Sequence, residues 1–408
     1  MTYAQLRMFA PEDVSHRSFV DEVVAFSEFG RKTEVKVFEG IRYFVNEYWT
    51  SRQRQSHNLH EVSYRACFKA ELPRFFIERL TEPGDVVYDP FMGRGTTLLE
   101  AALLGRCVAG NDVNPLSAML VRPRLAPPSL AAIQKRLSEI NWKTSVSNTD
   151  RELEVFYHPE TLAEIVALKN WLLERDAVGT LDSVDDWIRL VAINRLTGHS
   201  SGFFSVYSLP PNQAVSLESQ RKINEKRQQA PDRRDVPAII LKKSRNLLSD
   251  GQPQAGMLIK LFTGTAAATP KMQGADVDLI VTSPPFLDIV NYKQDNWLRC
   301  WFAGIDADVV AIDHHRTVAD WEAFVRRSFV EFARLVRPGG HVAFEVGEVR
   351  GGKVLLEQHV VRAVQGLPFD LLGVMVNDQE FTKTANCWGV NNNTGGTNTN
   401  RIVTFRRQ

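Results

Sequence analysis

The apolar run Val277-Asp278-Leu279-Ile280-Val281 is followed at once by Thr282-Ser283-Pro284-Pro285-Phe286. A run of that length and character reads as a buried parallel strand. Two adjacent prolines cannot continue a central ladder, because each lacks an N–H and has a fixed φ. The strand therefore stops abruptly. A rigid turn then presents a hydroxyl, free carbonyls and an aromatic ring at its carboxyl edge, which in open α/β sheets is where ligands bind. A simple strand-closing turn is the other reading of the same residues.

A second stretch favours a ligand site. Asp85-Val86-Val87-Tyr88-Asp89-Pro90-Phe91-Met92-Gly93-Arg94-Gly95-Thr96-Thr97-Leu98-Leu99-Glu100 reads as strand, glycine turn and helix. Val86 to Tyr88 suit a strand. Gly93 and Gly95 permit positive φ and close approach of backbone to a ligand. Thr96 or Thr97 is expected to cap a helix whose N–H groups face that ligand. The third glycine of the dinucleotide fingerprint is missing, and no Gly-Lys-Ser/Thr of a P-loop follows. About twenty residues on, Val108-Ala109-Gly110-Asn111-Asp112 gives a second strand ending in an acid placed to accept hydrogen bonds from ribose hydroxyls. A surface carboxylate at a strand end is the alternative for Asp112.

Together these stretches resemble the amino-DNA methyltransferases, enzymes that methylate exocyclic amino groups of DNA bases. Ser-Pro-Pro-Phe is similar to their catalytic motif. Asp-Pro-Phe-x-Gly-x-Gly-Thr-Thr is similar to their S-adenosylmethionine (SAM) loop. The resemblance covers roughly residues 64–115 and 258–350. It implies an α/β, Rossmann-like SAM-dependent methyltransferase fold, a mostly parallel sheet with helices on both faces, plus a large mainly helical insertion. For SAM it implies Phe68, Lys69, Asp89, Phe91, Gly93, Gly95, Thr96, Thr97, Asp112 and Asn114. Thr265 stands where the family commonly has an acid that contacts the adenine amino group. For catalysis it implies Ser283, Pro284, Pro285 and Phe286, with Phe286 stacking on a flipped base and Tyr292 or Trp297 forming the other wall. Ser as the first letter of the motif points to cytosine N4, with adenine N6 as the alternative. An RNA base amino-methyltransferase and a non-catalytic SAM- or DNA-binding protein are further readings.

The expected organisation is an N-terminal extension over 1–60, a catalytic domain formed by 61–122 and 256–408, and an inserted target-recognition region over 123–255. Phe68 to Leu80, 129–140 and 160–175 carry helical spacing, Leu258 to Phe262 reads as a strand, and 331–347 as helix, Pro-Gly-Gly turn and strand. The net charge is only +1, so no global basicity announces a nucleic-acid partner. Between Arg221 and Arg245, however, nine Lys/Arg face three acids, a local excess of six. From this run and the polar, aromatic stretch before it come the candidate contacts to double-stranded DNA. They are Arg195, His199, Ser200, Asn212, Arg221, Lys222, Lys226, Arg227, Arg233 and Arg234, with Asn391 and Asn392 in a later Asn/Thr/Gly tract. A solvated helix face is the other fate of such charge runs. Cys67, Cys107, Cys300 and Cys387 are isolated, which fits a reducing cytoplasm, with nucleoid association through DNA. His314-His315 has no metal-ligand spacing around it and reads as a solvated loop, so no metal is expected. No run is apolar enough to span a membrane. A cognate restriction endonuclease is a partner the resemblance allows.

Overall fold

A computed structural model of the chain describes residues 18–50, 57–64, 67–209, 214–254, 256–285, 292–310, 315, 317–347, 354–378 and 399–408. Phe286, Asn212, Asn391 and Asn392 lie outside them. In chain order the elements are α1 (Phe19–Ala25), β1 (Glu34–Phe38), β2 (Ile41–Asn46), α2 (Glu71–Leu80), β3 (Val86–Asp89), α3 (Thr96–Leu103), β4 (Cys107–Asp112) and α4 (Pro115–Leu125). There follow α5 (Leu130–Glu139), α6 (Pro159–Ala177), α7 (Ser183–Ile193), α8 (Leu217–Arg227) and α9 (Val236–Leu247). The chain then returns to the sheet with β5 (Ile259–Thr263), β6 (Val277–Thr282), α10 (Tyr292–Ala303), α11 (Val318–Leu335), β7 (Val336–Val346), α12 (Leu356–Val364), β8 (Phe369–Asp378) and β9 (Thr399–Arg407).

The strands form one sheet in the order β1-β2-β8-β9-β7-β6-β3-β4-β5. Strands β3 to β7 are parallel, β9 runs antiparallel between β7 and β8, and β1 is antiparallel to β2. β3 has β4 on one side and β6 on the other, so the winding direction reverses between β3 and β6. A crevice opens at such a switch point, outside the carboxyl ends of the strands. Both motifs read from the sequence end there. The fold is thus α/β with a mostly parallel sheet, the architecture that the resemblance implies.

Period-two alternation divides the core between the sheet's faces. Val87, Leu279 and Val281 pack with Leu72, Phe75 and Phe76 of α2 and Leu98 and Ala101 of α3. Tyr88 and Ile280 pack with Trp321, Phe324, Phe329 and Phe332 of α11 and Leu356 and Val360 of α12. Every residue of β3 and β6 is buried, as a strand covered on both faces requires.

Two expectations about organisation change. Glu34–Phe38 and Ile41–Asn46, inside the expected N-terminal extension, belong to the catalytic sheet: β2 pairs in parallel with β8 and β1 extends the same sheet. The expected Pro-Gly-Gly turn lies inside β7, where the pairing with β6 shifts register. Gly340 is needed there because a Cβ would stand 2.9 Å from the Asp278 carbonyl oxygen. The segment between β4 and β5 is helical as expected. Its core is continuous with that of the catalytic side through Leu59, Val62, Leu99, Leu116 and Leu120.

Candidate functional site

Asp89 ends β3 and is 2% exposed. Its Oδ1 accepts from the Thr282 hydroxyl (2.6 Å) and the Phe91 N–H (3.1 Å). Burial pushes this carboxyl up to about 7, against the opposing effect of those bonds. The Asp89–Thr282 bond ties the end of β3 to the end of β6 across the switch point.

The loop after β3 enters α3 through Gly95, whose φ of +74° is left-handed. A Cβ at Gly95 would come within 2.4 Å of Val121 Cγ2, so the glycine is required by packing against α4 rather than by a ligand. The expected threonine cap does not form. Gly95 is the N-cap and gives no side-chain bond. Thr96 Oγ1 instead accepts from Arg94 Nε (3.1 Å), and the buried Thr97 hydroxyl donates to the Val281 carbonyl (3.0 Å), fastening α3 to β6.

Asp112 ends β4. Its Oδ2 accepts from the Gly93 N–H (2.8 Å) and its Oδ1 from the Asn114 N–H (2.9 Å), which locks the glycine loop to the second strand. Burial raises this carboxyl as well. Asn114 is not a free ligand group: its buried side chain caps α4 by accepting from the Leu116 N–H (3.0 Å). Thr265 is exposed, and its hydroxyl accepts from the Ala267 N–H in a local turn (3.3 Å).

Beyond β6, Ser283 and Pro285 are half-buried and Pro284 is buried. Ser283 favours the charged carboxylate of Glu345, near the end of β7, against the effect of its burial. Glu345 is 6% exposed, accepts from Asn400 Nδ2 (3.1 Å), and is raised by burial. The Pro285 carbonyl accepts from the indole N–H of Trp321 on α11 (2.9 Å).

These pieces surround one cavity that opens to solvent. Asp89, Phe91, Gly93 and Thr96 line it from the loop after β3, Asp112 and Val113 from β4, Gly264 and Ala266 from the turn after β5, and Ser283 and Pro285 from the turn after β6. Tyr64, Cys67 and Phe68 form the remaining wall. This wall belongs to a strap between β2 and α2 whose carbonyls are held by arginines. Arg94 donates to the Val62 and Phe68 oxygens (2.9 and 3.3 Å), Arg124 to that of Leu59 (3.1 Å) and Arg299 to that of Ser63 (2.7 Å). Burial lowers the buried pair, Arg124 to about 9 and Arg299 to about 10. Lys69 is exposed and does not line the cavity, nor do Gly95, Thr97, Asn114, Thr265 or the buried Pro284.

The expected nucleic-acid residues divide. Arg195 is buried, stacks at 4.2 Å over Phe203 and lies 3.9 Å from Glu61, so it is a packing residue. His199 and Ser200 are exposed. Arg233 is bound to Glu160 (3.0 Å) and Glu164 of α6, and Arg234 lies 3.3 Å from Asp232. Both are therefore ion-paired within the chain rather than free cations. Lys222 pairs with Glu218 (2.6 Å), and Arg227 stacks over Tyr207 at 3.7 Å. Arg221 and Lys226 project from α8 as exposed cations. Tyr292 opens α10, whereas Trp297 packs in the core around the insertion, 6.3 Å from Phe156. His315 is not solvated: its ring packs 4.7 Å from that of Phe324.

Glu345 and Trp321 were not read as site residues from the sequence. A buried acid inside Val342-Ala343-Phe344-Glu345-Val346 is the one signal that had marked the first. Trp321 sits at helical spacing with Phe324, Val325 and Phe329 and so reads as core.

A family model described as DNA methylase, of the N6/N4 methyltransferase type, matches residues 28–118. Type II methyltransferase M.MvaI of Kocuria varians is 30% identical over 132 residues, which covers 31% of this chain and 27% of that protein. Type II methyltransferase M.BsoBI of Geobacillus stearothermophilus is 20% identical over 318 residues, covering 72% and 61%. The chain therefore spans less than two thirds of the length of these curated relatives. Among solved structures, an rRNA methylase from Streptococcus thermophilus overlaps 84% of this chain and 98% of its own at 8% identity and a TM-score of 0.33. By its paired motifs and these sequence relatives, the chain is similar to the amino-DNA methyltransferases, with the family match confined to residues 28–118.

Proposed function

We propose that the chain transfers a methyl group from SAM to the exocyclic amino group of a DNA base, cytosine N4 in the first reading and adenine N6 in the second. One observation carries the proposal: Ser283 and Pro285 of the acceptor motif line the same cavity as Asp89, Phe91, Gly93 and Asp112 of the cofactor motif. Donor and acceptor held in one pocket supply the orientation that a two-substrate transfer needs.

The donor set fits SAM. Each Asp112 oxygen accepts one backbone N–H and keeps a lone pair for a ribose hydroxyl. Phe91 offers a ring against which adenine can pack, and Asp89 and Asp112 favour a bound cation. When bound, SAM supplies an electrophilic methyl carried by a sulfonium.

The chain's own residues prepare the nucleophile. An exocyclic amino nitrogen is weak because its lone pair is delocalised into the ring. Acceptors that take hydrogen bonds from both amino hydrogens draw the nitrogen toward sp³ and free that pair. Ser283 Oγ and the Pro284 carbonyl are the assigned acceptors. Glu345 gives the first its direction. Ser283 favours the charged form of Glu345, and a hydroxyl proton turned to that carboxylate leaves the lone pairs of Ser283 Oγ to accept from the base. The same carboxylate stands one hydroxyl away from the proton that leaves nitrogen after transfer. In this reading residues 123–255 recognise the target, with Arg221 and Lys226 among the phosphate contacts.

Ser283→Ala should abolish methyl transfer to DNA while SAM affinity stays within about twofold. Unchanged transfer by this variant would exclude the mechanism. Mass spectrometry of digested product DNA decides the base: N4-methylcytosine is expected, and N6-methyladenine alone would assign the second reading.

A further inference from the structure

Helix α11 touches three separate segments of the cavity wall. Trp321, one turn into the helix, donates its indole N–H to the Pro285 carbonyl at 2.9 Å and is itself fully buried. Phe324, three residues on and so on the same side of the helix, packs 5.6 Å from Phe91 of the cofactor loop. Near the other end, Glu331 accepts from the N–H and hydroxyl of Thr269 (2.7 and 2.6 Å), and Arg334 donates to the Thr269 and Met272 carbonyls (3.0 and 2.9 Å). That anchors the turn from which Gly264 and Ala266 line the cavity.

The bond to Pro285 differs from the others in what it replaces. Residues Pro284 and Pro285 have no N–H, so this stretch cannot be fixed by donating into a ladder. Its position depends on how its acceptors are held. The backbone two residues after Ser283 is held by Trp321. The Pro284 carbonyl, one of the two assigned acceptors, precedes that anchored carbonyl by one residue. We infer that Trp321 is a positioning residue of the methyl transfer. Through its N–H to the Pro285 carbonyl, it sets the aim of the Ser283 and Pro284 acceptors relative to the cofactor loop that the same helix contacts through Phe324. This inference rests on the function proposed above.

The test removes the donor and keeps the shape. Trp321 is replaced by β-(3-benzothienyl)alanine, in which sulfur stands for the indole N–H, and in parallel by Phe. Single-turnover methyl transfer at saturating SAM and DNA, the SAM dissociation constant and the thermal midpoint are measured for each. Loss of a hydrogen bond that orients reacting groups predicts a rate roughly tenfold lower for the isostere. Its SAM affinity should stay within about twofold of wild type, because the lost bond is made to the acceptor turn. A merely structural role predicts the opposite split, with the isostere at wild-type rate and Trp321→Phe losing thermal stability through lost volume. A wild-type rate for the isostere overturns the inference and leaves the proposed function standing. A wild-type enzyme whose transfer is indifferent to Ser283→Ala overturns both, since the carbonyl that Trp321 holds then belongs to no acceptor pair.

Discussion

Asp89→Asn separates the electrostatic cost of the site from its hydrogen bonding. Both bonds accepted by Asp89 fall on Oδ1, from the Thr282 hydroxyl and the Phe91 N–H. An asparagine with its oxygen in that place keeps both. Its NH2 group then faces the Thr97 hydroxyl, which already donates to Val281 and has a lone pair to receive it. What changes is the charge. Burial carries the Asp89 carboxyl from 3.8 to about 7. A carboxyl raised in the folded state binds its proton more tightly there. The stability it contributes is therefore full below about pH 4 and is lost as pH rises to about 7. The gap of about three pH units corresponds to about 4 kcal/mol at alkaline pH. Asp89→Asn removes this loss. Urea unfolding of both proteins without ligand, from pH 4 to 8.5, should give a stability difference in favour of the variant. That difference should grow at up to about 1.4 kcal/mol per pH unit and level off above about pH 7. The variant should also lose affinity for SAM more than for S-adenosylhomocysteine, which lacks the sulfonium charge. Stability curves that run parallel across the whole pH range would refute the reasoning, because Asp89 would then carry no burial cost.

Two other perturbations test separate parts of the structure. Gly95→Ala combines a left-handed φ with a Cβ 2.4 Å from Val121 Cγ2, which together should cost about 2–4 kcal/mol in urea melts. Val121→Ala should restore the steric part, so strictly additive effects of the two substitutions would count against the contact. On the insertion, the double variant Arg221→Ala/Lys226→Ala should lower the slope of log affinity for DNA against log salt by up to about two. Arg233→Ala should leave that slope unchanged and reduce stability instead, since its partners are Glu160 and Glu164. A wild-type salt slope in the double variant removes Arg221 and Lys226 from the interface.

What could be read beforehand was what local sequence determines. Strand β3, its glycine loop and the acid of β4 lie within 30 residues, and Ser283-Pro284-Pro285 announces its own turn. What could not be read depended on contacts distant in sequence. Glu345 and Trp321 meet the Ser283–Pro285 turn only because β7 lies beside β6 and α11 crosses their face. Arg233 looked like a phosphate ligand because the carboxylates that neutralise it lie on α6, about 70 residues earlier. β2 could not be placed in the catalytic sheet because its partner is β8: Tyr43 pairs with Val374. β1 is exposed along its whole length and carries no burial pattern to betray it. The threonine cap failed for a local reason. A left-handed glycine can turn the chain into a helix without a capping hydroxyl, which left Thr96 and Thr97 free for other partners.

The near-zero net charge, which announced no nucleic-acid partner at the level of composition, has a different meaning once the charges are placed. Asp89, Asp112 and Glu345 stand at the carboxyl ends of β3, β4 and β7, and burial raises all three. An acidic sheet edge suits a cationic methyl donor and a departing proton, and it repels a phosphate backbone. Exposed cations of the insertion lie on α8 and α9, where Arg221, Lys226, Lys242 and Arg245 face solvent. In the proposed reaction DNA must be held by its phosphates while one base is drawn toward a pocket that rejects phosphates. That demands cations and acids in different places rather than an excess of either. A chain that sums to +1 while keeping the two apart meets this demand, and global charge is for that reason a poor test of DNA binding in a base-flipping enzyme.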